Sequence, residues 1–192
     1  MSKKTYFRVA GAAVGVAATM IAPTAQAAFH LWQIREIYTD ASGSLQFIEL
    51  FCLASSQQFL GGQQISVSSG GQTHTFTLQN NATSDTLNHA LLLGTSGIHG
   101  AGAPTPDYII PSSFLFSAGG TITFFGANPG TYTALPTDGV LSRNWGDGNS
   151  PNSPQNFAGQ IGTVVAVPEP ATFALLGMGS VGLFWMFRRS RS

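Results

Sequence analysis

Residues 171–187, ATFALLGMGSVGLFWMF, contain no charged side chain, and Arg188, Arg189 and Arg191 follow at once. A helix that crosses a bilayer needs about 17–25 predominantly apolar residues, so this run is just long enough to span once. Pro168 and Pro170 cannot lie in a helix interior and therefore fix where such a helix begins. Arginines on the C-terminal side hold that end in the cytoplasm, which places everything before Pro168 on the far side of the membrane. Glu169 lies outside the apolar core and needs no buried partner there.

The opposite end predicts the same topology. Lys3, Lys4 and Arg8 form a basic stretch, residues 9–21 are apolar and small, and Ala25-Gln26-Ala27 is a small-x-small cleavage site. That layout is a secretory signal peptide over 1–27, with Ala25 and Ala27 as the cleavage determinants and Ala28 as the new N-terminus. A single uncleaved N-terminal helix is the alternative, but Gly11, Gly15 and Thr19 interrupt the apolar stretch.

Val167-Pro168-Glu169-Pro170, the apolar run and the arginine cluster, occurring together and in that order over 167–192, resemble the PEP-CTERM sorting signal of Gram-negative, exopolysaccharide-producing bacteria. The resemblance implies recognition of Pro168, Glu169, Pro170, Arg188, Arg189 and Arg191 by an exosortase-type processing enzyme, after export through the Sec machinery. The inner membrane would be an intermediate stop on the way to the envelope, outer surface or exterior. An ordinary C-terminal anchor that is never cut is the plainer alternative.

Removing these ends changes what the charge says. The chain is formally neutral, but between the two targeting segments only Arg35 and Arg143 are basic, against Glu36, Asp40, Glu49, Asp85, Asp107, Asp138 and Asp147. A surface that tracks phosphates needs clustered Lys and Arg, so nucleic acid is excluded as a partner. A neutral surface rich in Ser, Thr, Asn, Gln and Gly suits contact with exopolysaccharide or matrix proteins.

Roughly 140 residues remain, the usual size of one domain. Cys52 is the single cysteine, so no intramolecular disulfide forms; within Phe47-Ile48-Glu49-Leu50-Phe51-Cys52-Leu53 it reads as a small buried hydrophobe. The chain reads as strands and turns throughout. Candidate strands fall at 29–39, 45–53, 64–67, 73–79, 90–94, 107–110 and 121–126. They are separated by Asp40-Ala41-Ser42-Gly43-Ser44, Gly61-Gly62, Ser69-Gly70-Gly71, Asn80-Asn81, Gly100-Ala101-Gly102-Ala103-Pro104, Gly119-Gly120 and Asn128-Pro129-Gly130. About seven short strands without helical periodicity predict an all-β sandwich or barrel over 28–143. The stretch 144–166, with its Gly, Asn, Ser and Pro residues, is expected to be a loop or linker towards the membrane segment.

Trp32-Gln33-Ile34-Arg35-Glu36-Ile37-Tyr38, a turn, and Gln46-Phe47-Ile48-Glu49-Leu50 resemble the opening hairpin of lamin-tail-type domains, and residues 112–125 fit the same pattern loosely. This resemblance implies an immunoglobulin-like β-sandwich used for binding or scaffolding, with no catalytic residues to carry over. Phe51-Cys52-Leu53 stands where that family shows an Asn.

Several side-chain groups compete with that reading. A turn centred on Ser42-Gly43 sets Glu36 opposite Glu49, a carboxylate pair suited to proton sharing in a hydrolase or to holding a hard cation. A turn one residue different sets Arg35 opposite Glu49 as a structural ion pair. His30, His74, His89 and His99 lack metal-site spacing, and His74 is expected to be half-buried and hydrogen-bonded while His99 is free in its loop. Asp138-Gly139 and Asp147-Gly148-Asn149 are acidic turns without a full calcium-binding set of ligands. No Gly-x-Ser-x-Gly elbow occurs, and no catalytic residue, metal site or cofactor is expected. Trp145, between Asn144 and Gly146, either plugs the fold or stacks on a saccharide, which makes a carbohydrate-binding module the alternative to a non-enzymatic structural or adhesive component of the matrix or biofilm.

Overall fold

The computed structural model describes residues 31–124 and 127–166. The predicted signal peptide with Ala25 and Ala27, His30, and the tail with its sorting residues and its 171–187 span lie outside the described residues. Among the described residues there are ten strands and no helix: β1 (Trp32–Thr39), β2 (Gln46–Cys52), β3 (Gln64–Ser69), β4 (Gln72–Thr77), β5 (His89–Gly94), β6 (Tyr108–Ile109), β7 (Gly120–Phe124), β8 (Ala127–Tyr132), β9 (Leu141–Asn144) and β10 (Gly148–Pro151).

They form a six-stranded sheet in the order β10-β9-β1-β2-β5-β6 and a four-stranded sheet in the order β4-β3-β7-β8. Alternation along each strand explains how the two sheets meet, because successive side chains point to opposite faces. Ile37, Ile48, Leu50, Cys52, Leu91 and Leu93 of the larger sheet join Ile65, Val67, Ile122 and Phe124 of the smaller one in a single buried cluster. This is a sandwich of two packed sheets with its main core between them.

The turns follow their residues. Ser69 and Gln72 pair across Gly70 and Gly71, whose φ values of 55° and 82° give the two-residue hairpin that matches strand twist. Between β1 and β2 the Asp40 amide donates to the Leu45 carbonyl at 3.0 Å. The Asp40 carboxylate in turn accepts from Ser42 Oγ at 2.6 Å, Ser44 Oγ at 3.0 Å and the Leu45 amide at 3.1 Å.

Each of the seven expected strands is present; of the three others, β8 comes from a stretch read as a turn, β10 from the expected linker, and β9 from a stretch to which no element was assigned. Asn128-Pro129-Gly130 lies inside β8, an edge strand whose pairing with β7 shifts register between Ile122 and Phe124; Pro is tolerated in such a strand because an edge leaves amides unpaired. Leu141–Asn144 and Gly148–Pro151 form a hairpin on β1. The expectation that 144–166 is a linker is therefore corrected. After β10 the chain folds back over the outer face of the six-stranded sheet; Asn152, Asn156 and Val164 are buried along it, and Phe157 turns in to join the main core. Beneath this strap Tyr38, Phe47, Leu92, Ile98, Ala103 and Val164 make a second, smaller core. Glycine and asparagine content signalled a loop correctly but carried no information about what the loop covers.

Candidate functional site

The β1–β2 ladder resolves the two registers left open by the sequence. Glu36 pairs with Glu49, and Ile34 pairs with Leu50, so a bulge falls at Arg35. An extra residue in one strand re-aims its side chain. Arg35 Nε reaches Glu49 Oε1 at 3.2 Å, and the guanidinium lies 5.0 Å from the Phe51 ring centre. Both the carboxylate pair and the ion pair are thus present at once.

The two carboxylates face the strap. Glu36 is 1% exposed and Glu49 0%. Glu36 Oε1 accepts the Ser153 amide at 2.9 Å and Oε2 accepts Ser153 Oγ at 3.4 Å. Glu49 Oε2 accepts the Gln155 amide at 2.8 Å, and Arg35 Nη1 donates to Gln155 Oε1 at 3.2 Å. A third carboxylate continues the row, since Asp107 Oδ2 accepts the Phe157 amide at 2.9 Å and the Leu92 amide at 2.8 Å. The Ser153, Gln155 and Phe157 amides each meet one of these carboxylates, Phe157 at the start of the turn that follows. Two buried carboxylates, Glu36 on β1 and Glu49 on β2, and the more exposed Asp107 just before β6 thus accept backbone amides of the strap.

Electrostatics follow from that burial. Glu49 is pushed up to about 7, first by desolvation and then by Glu36, against the opposing pull of the Gln155 amide and Arg35. Glu49 Oε1 receives no well-directed hydrogen bond and is compensated by the Arg35 charge alone. Burial also raises Asp107, against its two amide donors. Closed over by Ser153 and Gln155, the pair offers no open face on which a substrate or a hydrated cation would meet both carboxylates.

Asparagines finish the strap. Asn152 Nδ2 donates to the Val140 and Val164 carbonyls at 2.8 and 2.9 Å, and its Oδ1 accepts the Val164 amide at 2.6 Å. Asn156 holds the next turn through Thr105, Gln160 and Gly159. The Val165 amide donates to Ala101 at 2.8 Å, and a methyl group on Gly139 would stand 2.8 Å from the Ala166 Cβ. A cleft of about 530 Å³ opens at this point, with Asp40, Ser42, Asp138, Gly139, Val165 and Ala166 among its walls. Tyr38 donates to the Gly139 carbonyl beside it at 3.2 Å and is pushed up to about 12 by burial, then by Asp40 and Asp138.

Trp145 is half-buried and packs against the main core. A methyl on Gly130 would stand 2.5 Å from its ring and from Ile34, so the indole closes one end of the sandwich between β1 and β8 while keeping part of its surface in solvent. His74 donates from Nδ1 to Phe114 at 2.9 Å and stacks 4.5 Å from Phe116. His89 donates to Phe157 at 2.9 Å and stacks on its ring. His99, expected to be free, donates to Ala103 at 3.1 Å. Cys52 is buried, its thiol 3.3 Å from the Ala54 carbonyl. Asp138 caps its own turn through the Val140 and Leu141 amides, which lower its carboxyl. Among the described residues no three His, Cys, Asp or Glu side chains come together as metal ligands would.

The described chain stops where the tail begins, and the tail carries the assignment. Residues 166–190 match the model of the PEP-CTERM protein-sorting motif. The chain thus bears a PEP-CTERM signal, which implies export, membrane-associated sorting towards the envelope and processing by an exosortase. No curated protein and no solved structure matches the chain at a significant level.

Proposed function

We propose that this is a non-enzymatic structural or adhesive component of the extracellular matrix or cell envelope, exported through Sec and carried to its place by the PEP-CTERM signal. The observation that carries the reading is the use to which its paired carboxylates are put. Glu36 and Glu49, the residues a hydrolase or metal-dependent reading would require, are spent on the Ser153 and Gln155 amides. An immunoglobulin-like sandwich of the lamin-tail type is the fold reading that goes with this role, supported by the β1–β2 hairpin and by two packed sheets. Exopolysaccharide or other matrix proteins are the proposed partners. The half-exposed Trp145 supports carbohydrate binding as the second reading, because an amphipathic ring beside Arg143 and Asn144 combines stacking with hydrogen bonds.

Fractionation of producing cells with intact-mass measurement tests the first reading. A C-terminus near Pro168 to Pro170, recovered outside the inner membrane, supports it; a full-length chain confined to the inner membrane overturns it. For the second, Trp145→Ala should lower retention on the producer's own polysaccharide, and equal retention of variant and parent rejects it.

A further inference from the structure

The four-stranded sheet has one edge, β4, on which no described strand pairs; the 113–117 segment meets it from the core side, through His74. Natural sheets blunt their edges with charge, proline, bulges or extreme shortness, because an unpaired strand is a template for another chain. β6 is two residues long, β10 ends in Pro151, and β8 contains Pro129 and a register shift. β4, QTHTFT, has none of these devices and pairs with β3 through six uninterrupted positions.

Its free groups can be identified. Ser69 and Gln72 close the two-residue hairpin and form its first hydrogen-bonded pair. By alternation, Gln72, His74 and Phe76 bond to β3, while Thr73, Thr75 and Thr77 turn their amides and carbonyls outward. The Leu78 amide on the Gln63 carbonyl at 2.8 Å agrees with that phase. Thr73 and Thr75 are exposed, and the Gln79 side chain occupies only the Thr77 carbonyl, at 2.6 Å.

We propose that β4 pairs antiparallel with β4 of a second copy about a two-fold axis at Thr75, joining two four-stranded sheets into one of eight. The sequence is self-complementary in this register: Thr75 meets Thr75, Thr73 meets Thr77, and His74 falls opposite Phe76. That self-complementarity argues for a copy of the chain as the occupant, and charge allows it. No Lys, Arg, Asp or Glu lies on β3, β4, β7 or β8, so two such sheets approach without like charges meeting, although the rest of the body is acidic. One strand pair buries less than the roughly 1,200 Å² of a stable interface, so the dimer forms as concentration rises.

Register-specific cross-linking of the full chain in producing cells tests the proposal. A hydrogen-bonded antiparallel pair sets Cα atoms about 5.5 Å apart, within disulfide range, and the native Cys52 is buried. Under mild oxidation Thr75→Cys should give at least ten-fold more disulfide dimer than Thr73→Cys, whose own two-fold mate lies four residues along the strand. Adding Thr73→Lys to Thr75→Cys should reduce that yield several-fold, whereas adding Asn149→Lys on β10 should leave it unchanged. No dimer from Thr75→Cys, equal yields from the two cysteine positions, or equal losses from the two lysines would each overturn the pairing.

Discussion

The two sheets share a core and differ on their outer faces. On the six-stranded sheet that face carries Glu36, Tyr38, Phe47, Glu49 and Leu92, and residues 152–164 bury it. On the four-stranded sheet it carries Ser66, Thr75, Thr121 and Thr131, whose hydroxyls meet one another across strands, Ser66 with Thr75 at 3.0 Å and Thr121 with Thr131 at 3.4 Å. One face is covered and holds carboxylates; the other is bare and holds none. Charge follows cover because a buried carboxylate is tolerable only where amides or a cation meet it, and the strap supplies three amides. The bare face needs no such partner, since hydroxyls satisfy themselves with neighbours and water.

Removing the largest of these contacts should do the most damage. Glu49→Ala strands the Gln155 amide and the Arg35 charge and is expected to cost about 3 kcal/mol, read as a lower urea midpoint together with early proteolysis between 152 and 166. A parental midpoint would show that the strap holds without its carboxylates.

Acidity gives a second handle on the covered face. The Glu49 carboxyl lies near 4.5 in its ordinary state and about 7 in the folded protein. Between those values the folded chain keeps a proton that the unfolded chain has released. The resulting stability is complete below the lower value and is lost as pH rises through the upper one. Unfolding free energy should fall from pH 5 to pH 8 by at most about 1.4 kcal/mol per unit from this group. Asp107, whose carboxyl is also raised, acts in the same sense, and Glu49→Gln should flatten the profile. Stability that rises over this range in the parent would contradict the assignment.

Asn152→Ala, which removes three side-chain hydrogen bonds from the strap, should cost about 2 kcal/mol in the same assay. At the other extreme Thr123→Ala, on the bare face, should stay within about 0.5 kcal/mol. If the two changes cost the same, the contrast between the faces has no energetic meaning.

The strands were largely legible in the sequence; the contrast between their outer faces was not. The apolar run Phe47-Ile48-Glu49-Leu50-Phe51 and the turn cluster Ser69-Gly70-Gly71 located the strands, because both signals are local. Placing Glu36 against Glu49 depended on a turn length, and the two registers looked mutually exclusive until a bulge at Arg35 accommodated both. The strap was invisible for a different reason. Asn152, Asn156 and Phe157 contact residues that lie mostly tens of positions away, and nothing in their own spacing distinguishes a covering segment from a linker. Glu36 opposite Glu49 was one of the two registers on offer, yet the partners that explain the pair lie 117 and 106 residues further on.

The anchoring of Val165 and Ala166 has a consequence for how the chain is handled at the membrane. Pro168 follows Ala166 by two residues, a reach of at most about 7 Å. The matched sorting motif, which starts at residue 166, therefore begins on the wall that carries Asp40, Asp138 and Gly139. An enzyme that recognises it works within a few residues of the folded body, so the surface around Asp40 and Asp138 sets its clearance.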